Sequence, residues 1–540
     1  MKSTITFLVL FIATIVNAQW VTDTNLNTLV ATSVSDDMQS IGTSDGKTIV
    51  VFWKVVGSPV NYELRMQKIN FDGTQAFGAD GVLVSNTIPM STSTAIWSIN
   101  IDLNDNIYIG VTGTTDQSGH AFKVDSNGNN LWGNTGIDLG QGNIVTIQPL
   151  SNGETAVSWF GTSNKAYLQK YSSSGTPIWA TNRTIVSGTD NTVPANLFGH
   201  SNGDITVVFH TYNVGINSLL WAQRYSTAGD PLWTLPTQLS NTTTAFNRSY
   251  SAVQDGDVVY FGYYGSSGSR FDSYLQRINA DGTLPWGING KDFDTNQTSY
   301  ELDTKIAISP GSQYVWAIAN YSNVNQNLFG EYVQKFDKNT GARLFTETAK
   351  ELFPISNSVI IHVGREFFLI QDSPLFLYKS GADNGATSTK LGLVYINTSG
   401  NFVWAGSTIS LATFAANKKR HQFNKPTGGQ AVITFIENKG SGSKIYTQNL
   451  TNPILEINNL PNNTHTISYT NPITNVMDIK SPLKINTVVV FDNNGKTLFT
   501  QNNIKSENFS LDTENWSQGI YFVKITSENA LENTLKVIKK

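Results

Sequence analysis

The stretch QRYSTAGDPLW, residues 223–233, identifies the fold because its pattern recurs along the chain. The pattern is Gln with a basic and an apolar residue after it, a Gly six positions after the Gln, and an aromatic residue four positions after the Gly. We interpret it as a strand, a tight turn in which Gly supplies a positive φ, and a second strand that begins at the aromatic residue. Other clear copies begin at Gln67, Gln169 and Gln276, and looser copies are built around Gly128, Gly341 and Gly400.

A second motif precedes each copy and consists of a turn with a β-branched run after it. The turns contain Gly46, Gly153, Gly203 and Gly256, and the other four are opened by Asp105, Gly311, Gly364 and Gly429. A period of about 54 residues accommodates four strands of about six residues with their connections. A four-stranded sheet repeated around an axis is a blade of a β-propeller. We therefore predict an all-β, eight-bladed β-propeller over residues 19–450, with a seven-bladed propeller or a pair of β-sandwiches as alternatives.

The two ends of the repeat region complement each other. The last Gln-containing strand, Ile445 to Leu450, has no Gly turn and no aromatic residue after it. The segment that begins at Trp20 matches the segments that come after the other aromatic residues. We therefore predict that the strand beginning at Trp20 pairs with the strand ending at Leu450 and closes the ring. An open solenoid would instead place capping units at its ends.

Composition excludes several classes of function. Charged residues make up 14% of the 540 residues and the formal net charge is -4, so we predict no nucleic-acid partner. Cysteine is absent, which excludes disulfides, thiolate metal sites and a cysteine nucleophile. No pair of His has metal-ligand spacing, so we predict no metal site and no cofactor.

The chain carries an export signal at each end. Lys2, an apolar run and Val16-Asn17-Ala18 predict a secretory signal peptide over residues 1–18. The apolar run is too short for a membrane span, and we predict no transmembrane segment in the mature form. Residues 451–468, rich in Pro and Asn, are predicted to be a linker. Residues 469–540 alternate apolar positions between Gly turns and predict a small β-sandwich.

Residues 469–540 resemble the type A sorting domain of type IX secretion, found in Bacteroidetes. The matching residues include Tyr469-Thr470-Asn471-Pro472, Val476-Met477-Asp478-Ile479 and Gly519-Ile520-Tyr521-Phe522-Val523-Lys524-Ile525, with Thr470 where the family usually has Pro. The resemblance implies Sec export, passage across the outer membrane through the type IX machinery as partner, and a secreted or surface-attached product.

The repeat turns resemble a second family. Asp337-Lys338-Asn339-Thr340-Gly341 with Phe345 is similar to the tryptophan-docking motif of eight-bladed quinoprotein propellers. This resemblance supports the propeller and implies no particular chemistry, because nothing resembles a quinone site and fold does not determine function.

Binding residues are expected on the face that carries the second turns and the links between blades, because those loops vary in length. The longest predicted second turn is Gln371 to Lys390. Its ligand-binding candidates are Asp372, Lys379 and Asp383, and the catalytic candidates on the same face are His210, His120, Arg270 and Glu437. Each also has a purely structural interpretation, as does the column of Lys and Arg residues that includes Lys68, Arg277 and Lys335.

Two hypotheses of function are consistent with this pattern. The scarcity of titratable residues and of catalytic motifs favours a secreted, non-catalytic binding module for an extracellular glycan or protein. The alternative is a carbohydrate-active enzyme, a polysaccharide lyase or hydrolase. The enzyme requires at least one pair of His, Tyr, Arg or carboxylate side chains that converge at the axis, whereas a binding module requires only a polar or aromatic patch.

Overall fold

The computed structural model describes residues 20–58, 60–212, 218–244, 250–381, 388–451, 467–492, 496–527 and 532–540. The chain divides into two compact bodies, residues 1–458 and 459–540. The predicted signal peptide and most of the predicted linker lie outside the described residues. The described chain is built from strands, with one short 3-10 helix at Thr162–Asn164.

The strands of the first body pair antiparallel and form five four-stranded sheets, one five-stranded sheet and one seven-stranded sheet. We describe them as eight units, two of which share the seven-stranded sheet. Unit 1 contains β2 (Val34–Gly42), β3 (Thr48–Val56), β4 (Asn61–Ile69) and β5 (Val82–Ser85). Unit 2 contains β6 (Ile96–Ile101), β7 (Ile107–Thr112), β8 (Ser118–Val124) and the first part of β9 (Ile137–Pro149). Unit 3 contains the rest of β9, β10 (Thr155–Gly161), β11 (Ala166–Tyr171) and β12 (Arg183–Ile185). Unit 4 contains β13 (Asn191–Gly199), β14 (Ile205–Tyr212), β15 (Leu219–Tyr225) and β16 (Thr237–Gln238).

Four further units complete the first body. Unit 5 contains β17 (Ser251–Asp255), β18 (Val258–Ser267), β19 (Arg270–Ile278) and β20 (Lys291–Asp292). Unit 6 contains β21 (Tyr300–Ala307), β22 (Tyr314–Ser322), β23 (Phe329–Asp337) and β24 (Lys350–Ser356). Unit 7 contains β25 (Ile360–His362), β26 (Phe368–Ile370), β27 (Ser373–Ser380), β28 (Lys390–Tyr395) and β29 (Thr408–Ala412). Unit 8 contains β30 (Lys418–Phe423), β31 (Gln430–Asn438), β32 (Ser443–Thr451) and β1 (Thr28–Ala31).

Neighbouring units pack face to face through apolar side chains. One core cluster joins Trp53 and Leu64 of unit 1 to Ile109 and Phe122 of unit 2. The first strand of unit 1 contacts the first strands of both unit 2 and unit 8. Each unit therefore buries both of its faces against its neighbours around an axis, which is the packing of an all-β propeller.

The ring is closed by the two ends of the first body. β1 pairs antiparallel with β32, with Thr28 opposite Thr447 and Leu29 opposite Tyr446. The predicted pairing of N-terminal and C-terminal strands is therefore present. The strand begins at Thr28 and not at Trp20, because the indole of Trp20 docks on unit 1 and does not join the ladder of its own unit.

Four tryptophan indoles each connect one unit to the next. The N–H groups of Trp20, Trp132, Trp179 and Trp233 donate to the carbonyl oxygens of Phe71, Ser173, Thr227 and Ala280 at 2.9–3.1 Å. Each acceptor lies two residues before the turn Gly of the next unit, which has a positive φ. In these units the aromatic residue lies before the outer strand and is not the first residue of that strand, because its side chain packs on the neighbouring unit. The family resemblance to quinoproteins stays a prediction.

A basic residue supplies the missing donor where the docking residue is Phe. Lys68, whose ammonium lies 5.0 Å from the ring centre of Phe77, donates to the Ser126 carbonyl at 2.5 Å. Lys335 donates to the Thr398 carbonyl at 2.8 Å from beside Phe345. A phenyl ring has no N–H, so the ammonium bonds the equivalent carbonyl of the next unit. These contacts favour the structural interpretation of the basic column.

The second body is one six-stranded sheet. It contains β33 (Ser468–Tyr469), β34 (Val476–Phe491), β35 (Thr497–Gln501), β36 (Ser506–Asp512), β37 (Gly519–Ser527) and β38 (Glu532–Lys539). The long β34 pairs with β33 and β36 along its first half and with β35 and β37 along its second half. Both halves contribute to one core, in which Met477, Val490 and Val523 are fully buried.

Candidate functional site

The two catalytic His candidates lie in separate buried environments. His120 in unit 2 contacts the Ser118 hydroxyl at 2.8 Å and the Thr135 carbonyl at 3.2 Å. His210 in unit 4 is fully buried, with Nδ1 2.6 Å from the Ser218 hydroxyl and Nε2 3.1 Å from that of Tyr250. Burial lowers the pKa of His210 to about 3, so its imidazole is neutral at ordinary pH.

Arg270 lies at the start of β19 and is surrounded by carboxyl groups. It forms an ion pair with Asp272, lies 3.7 Å from Glu301 and donates to the Ser299 carbonyl at 3.0 Å. Burial, together with Asp294 and Asp292, raises the pKa of Glu301 to about 10. Glu301 therefore keeps its proton at neutral pH, and this group is a buried acid cluster at the link between units 5 and 6.

Glu301→Gln should stabilise the protein at pH 8. Because the pKa of Glu301 is higher in the folded state, the folded protein loses stability as pH rises from about 4.5, the value of an unfolded Glu, to about 10. A neutral amide of the same shape avoids that loss, and we expect a gain of about 1–3 kcal/mol. Urea unfolding of the variant and wild type at pH 5 and pH 8 measures it.

The exposed Glu347→Gln is the matched control, because Glu347 is 68% exposed and pairs only with Arg343 at the surface. A Glu301→Gln variant that is less stable than wild type at pH 8 would contradict this assignment.

Glu437 takes part in a buried ion-pair chain in unit 8. Its side chain is fully buried, 2.7 Å from the Lys418 ammonium and 3.3 Å from that of Lys439. Lys439 also donates to the carbonyls of Asn25 and Leu26, which precede β1. Glu437 thus contributes to the closure of the ring, and its catalytic role stays a prediction.

The predicted second turn from Gln371 to Lys390 is wrong. Gln371 and Asp372 form a two-residue first turn between β26 and β27, both with positive φ, and Asp372 accepts a hydrogen bond from Ser312 at 3.1 Å. The turn type is that of an Asn-Gly hairpin built without Gly, so the sequence pattern missed it.

Lys379 lies on β27 and Asp383 lies outside the described residues. Gly364, predicted to open the first turn of unit 7, instead interrupts the first strand.

The structure does not bring the predicted site residues together, and none of those described lines the cavity at the axis of the first body. This cavity has a volume of about 530 Å³ and receives residues from all eight units. Its wall includes Ser40, Asn100, Gln148, Gln254, Arg365 and Gln422. We call it the axial cavity.

Sequence reasoning missed these residues because they lie on or beside the first strands. The turn motifs that revealed the repeat leave those strands out. Polar positions such as Asn100 and Gln148, alternating with the buried Ile99 and Ile147, were the available signal.

A buried charge network stands behind one wall of the axial cavity. Nδ1–H of His362 donates to Glu331 at 2.8 Å, and Nε2–H donates to the Asp303 carbonyl at 2.7 Å. The Asp303 carboxylate binds Lys305 at 2.7 Å, and Lys305 lines the axial cavity. Burial disfavours the imidazolium, but Glu331 and Asp303 outweigh it and raise the pKa of His362 to about 9.

Protein stability should therefore fall between about pH 6.5 and pH 9 because of His362. The paired imidazolium of His362 stabilises the folded state fully below about pH 6.5, the pKa of His in the unfolded chain. This stabilisation is lost as pH rises to about 9, the pKa in the folded protein. The free energy of unfolding, measured from pH 6 to pH 10, should decline more steeply in wild type than in His362→Gln. Parallel curves for the two proteins would show that His362 is not a buried cation.

The second body matches a known family. Residues 468–540 fit the model of the secretion system C-terminal sorting domain. The chain therefore carries a sorting domain. This domain supports its assignment as a type IX secretion cargo, exported to the cell surface or beyond. In the part of the chain that the structure describes, no helix is long and apolar enough to cross a membrane.

Comparison of the chain with solved structures gives distant matches. No curated protein matches the sequence. The Dos1 propeller has 11% identity over 78% of this chain and 94% of its own, with a TM-score of 0.40. A PL25 ulvan lyase has 12% identity over 62% and 88%, with a TM-score of 0.34. An alpha-L-arabinofuranosidase from Fusarium graminearum has 8% identity over 57% and 92%, with a TM-score of 0.31. The assignment of the fold therefore depends on the strand pairings themselves.

Proposed function

We propose that the first body is an extracellular, non-catalytic binding module whose ligand occupies the axial cavity. The observation that carries the proposal is the cavity itself, about 530 Å³ in volume and lined mainly by hydroxyl, amide and apolar groups. Its size lies within the range of about 300–1,000 Å³ that small-molecule sites have. A small molecule or the end of a glycan or peptide chain fits into such a volume, whereas a folded protein does not.

Export would place this module outside the cell. The sorting domain supports recognition by the type IX machinery, and we propose that it is of type A and acts after Sec export directed by residues 1–18. The binding module would then work at the cell surface or in the medium, where extracellular glycans are available as ligands.

A blocked cavity tests the binding site. Thr146 lines the axial cavity and is half-buried, so Thr146→Trp should fill part of it. Labelled protein is applied to a glycan array and to peptide arrays, and binding should be lost in Thr146→Trp. Thr176→Trp is the matched control, because Thr176 is exposed on an outer turn of the same unit. If every ligand binds the blocked variant as well as wild type, the cavity is not the site.

One observation favours the alternative, a carbohydrate-active enzyme. Tyr250 borders the axial cavity, and its hydroxyl lies 3.1 Å from Nε2 of the neutral His210. This distance allows the imidazole to accept the phenol proton as a general base. His210 itself is fully buried, so the pair would need to act through the tyrosine.

Product release from a panel of polysaccharides tests the enzyme. Cleavage that is abolished in both His210→Ala and Tyr250→Phe would support it, with His200→Ala as the control for loss of another buried His of the same unit. Absence of products from the panel, or cleavage that survives Tyr250→Phe, would contradict it.

A further inference from the structure

The wall of the axial cavity is divided by charge. The lining residues of units 1–5 are all uncharged and include Asn100, Gln148 and Gln254. The charged lining residues come from units 6–8 and are Lys305, Arg365, Glu366 and Lys425. Lys305 is paired with Asp303, and the two remaining lining cations, Arg365 and Lys425, still outnumber the one lining anion, Glu366. The opposite side of the cavity offers amides and hydroxyls.

The cations differ in how far they are already engaged. Lys305 is held by Asp303 at 2.7 Å, as part of the His362 network. The Arg365 guanidinium donates to the amide oxygen of Gln39, which is a neutral acceptor. Lys425 is exposed, and among the described residues its ammonium has no ion pair or hydrogen bond. Lys425 is therefore the cation that a ligand can reach without displacing an ion pair or hydrogen bond within the described residues.

Gln422 is a second group without a partner. It is 9% exposed and lines the axial cavity. Its side-chain amide forms no hydrogen bond with any described residue and is open to the solvent of the cavity. It lies on β30, three positions before Lys425, which comes just after the end of that strand. An unpartnered amide and an unpartnered ammonium that line one cavity suit a ligand with both neutral and anionic oxygens.

We infer that the ligand of the axial cavity is an acidic sugar, which presents a carboxylate or sulfate to Lys425 and Arg365. Its hydroxyl groups pair with Gln422 and with the amides of units 1–5, since an amide both donates and accepts. Charge-assisted hydrogen bonds are about twice as strong as neutral ones, which makes the anionic group the determinant of selectivity. This inference rests on the proposed function, because it names the ligand of the same cavity.

Calorimetric titration of the full secreted protein with three matched disaccharides tests the inference. The probes are cellobiose, cellobiouronic acid with one carboxylate, and cellobiose 6-sulfate. We expect at least one acidic probe to bind about tenfold to a hundredfold tighter than cellobiose, and the ranking of the two acidic probes distinguishes carboxylate from sulfate. Lys425→Gln should remove that preference.

Lys419→Gln is the matched control, since Lys419 lies on β30, is exposed and pairs with Asp36 away from the cavity. Equal affinity for cellobiose and the acidic probes, with binding blocked by Thr146→Trp, would overturn the acidic ligand and leave the binding module standing. Absence of binding to all three probes would also overturn it. The proposed function would fail separately if no ligand on the arrays depended on an open cavity.

Discussion

Val30→Asp should destabilise the propeller by more than about 4 kcal/mol, because it places an unpaired carboxylate in the closing strand. Val30 is fully buried, in one cluster with Phe52 of unit 1 and Ile436 and Ile445 of unit 8. β1 holds the fourth position of unit 8, so loss of its burial also exposes the edge of β32. The ring would then open between units 8 and 1, and urea unfolding should report a much lower midpoint.

Leu29→Asp provides the matched control. Leu29 is the preceding residue of the same strand but is 40% exposed, because successive side chains of a strand point to opposite faces. We expect a change within about 0.5 kcal/mol for this variant. Hydrogen exchange of the β32 amides should accelerate in Val30→Asp only. Equal effects of the two variants would mean that β1 is not packed between units 8 and 1.

Glu331→Ala should destabilise the protein by about 3–5 kcal/mol, the penalty of leaving a buried charge without its partner. Glu331 is fully buried, and its carboxylate accepts both the Nδ1–H and the backbone N–H of His362. Removing the carboxylate leaves the ring N–H without an acceptor. It also lowers the pKa of His362, since Glu331 is the largest contribution that raises it.

Two measurements separate this effect from a simple loss of packing. The downward trend of stability from pH 6.5 to 9 should flatten in Glu331→Ala, because His362 then no longer binds a proton preferentially in the folded state. Glu351→Ala is the control, since Glu351 is an exposed residue on the neighbouring strand that accepts only the Tyr332 hydroxyl. An equal loss of stability in both variants would show that the buried Glu331–His362 pair contributes no more to stability than the exposed Glu351.

The repeat and its closure could be predicted because both depend on local chemistry. A turn with positive φ requires Gly or a short polar residue, so Gly73, Gly175, Gly229 and Gly282 marked the third turns directly. The eighth unit lacked its own aromatic residue and outer strand, and Trp20 with the segment after it supplied both. The exact strand boundary was missed because the docking of Trp20 is a contact between units.

The seventh unit shows how a turn escapes a sequence pattern. Gln371 and Asp372 adopt positive φ without Gly, whereas Gly364, which looked like the turn residue, interrupts the first strand. Asp372 was therefore assigned to the wrong face. The sorting domain was easier to identify, because its strands and turns are contiguous in sequence and match a family directly.

The order of residues along the chain was enough to predict the all-β fold, the closure of the ring and the sorting domain. Each of these is encoded by residues that are neighbours in the chain or that repeat at a constant spacing. The candidate site, in contrast, exists only in the folded molecule. Asn100, Arg365 and Lys425 come from units 2, 7 and 8 and meet at one cavity because eight units pack around an axis. Glu331 and His362 likewise form a pair across two units. No local pattern contains such distances, and so none of the described candidate site residues that were predicted on the turns lines the axial cavity.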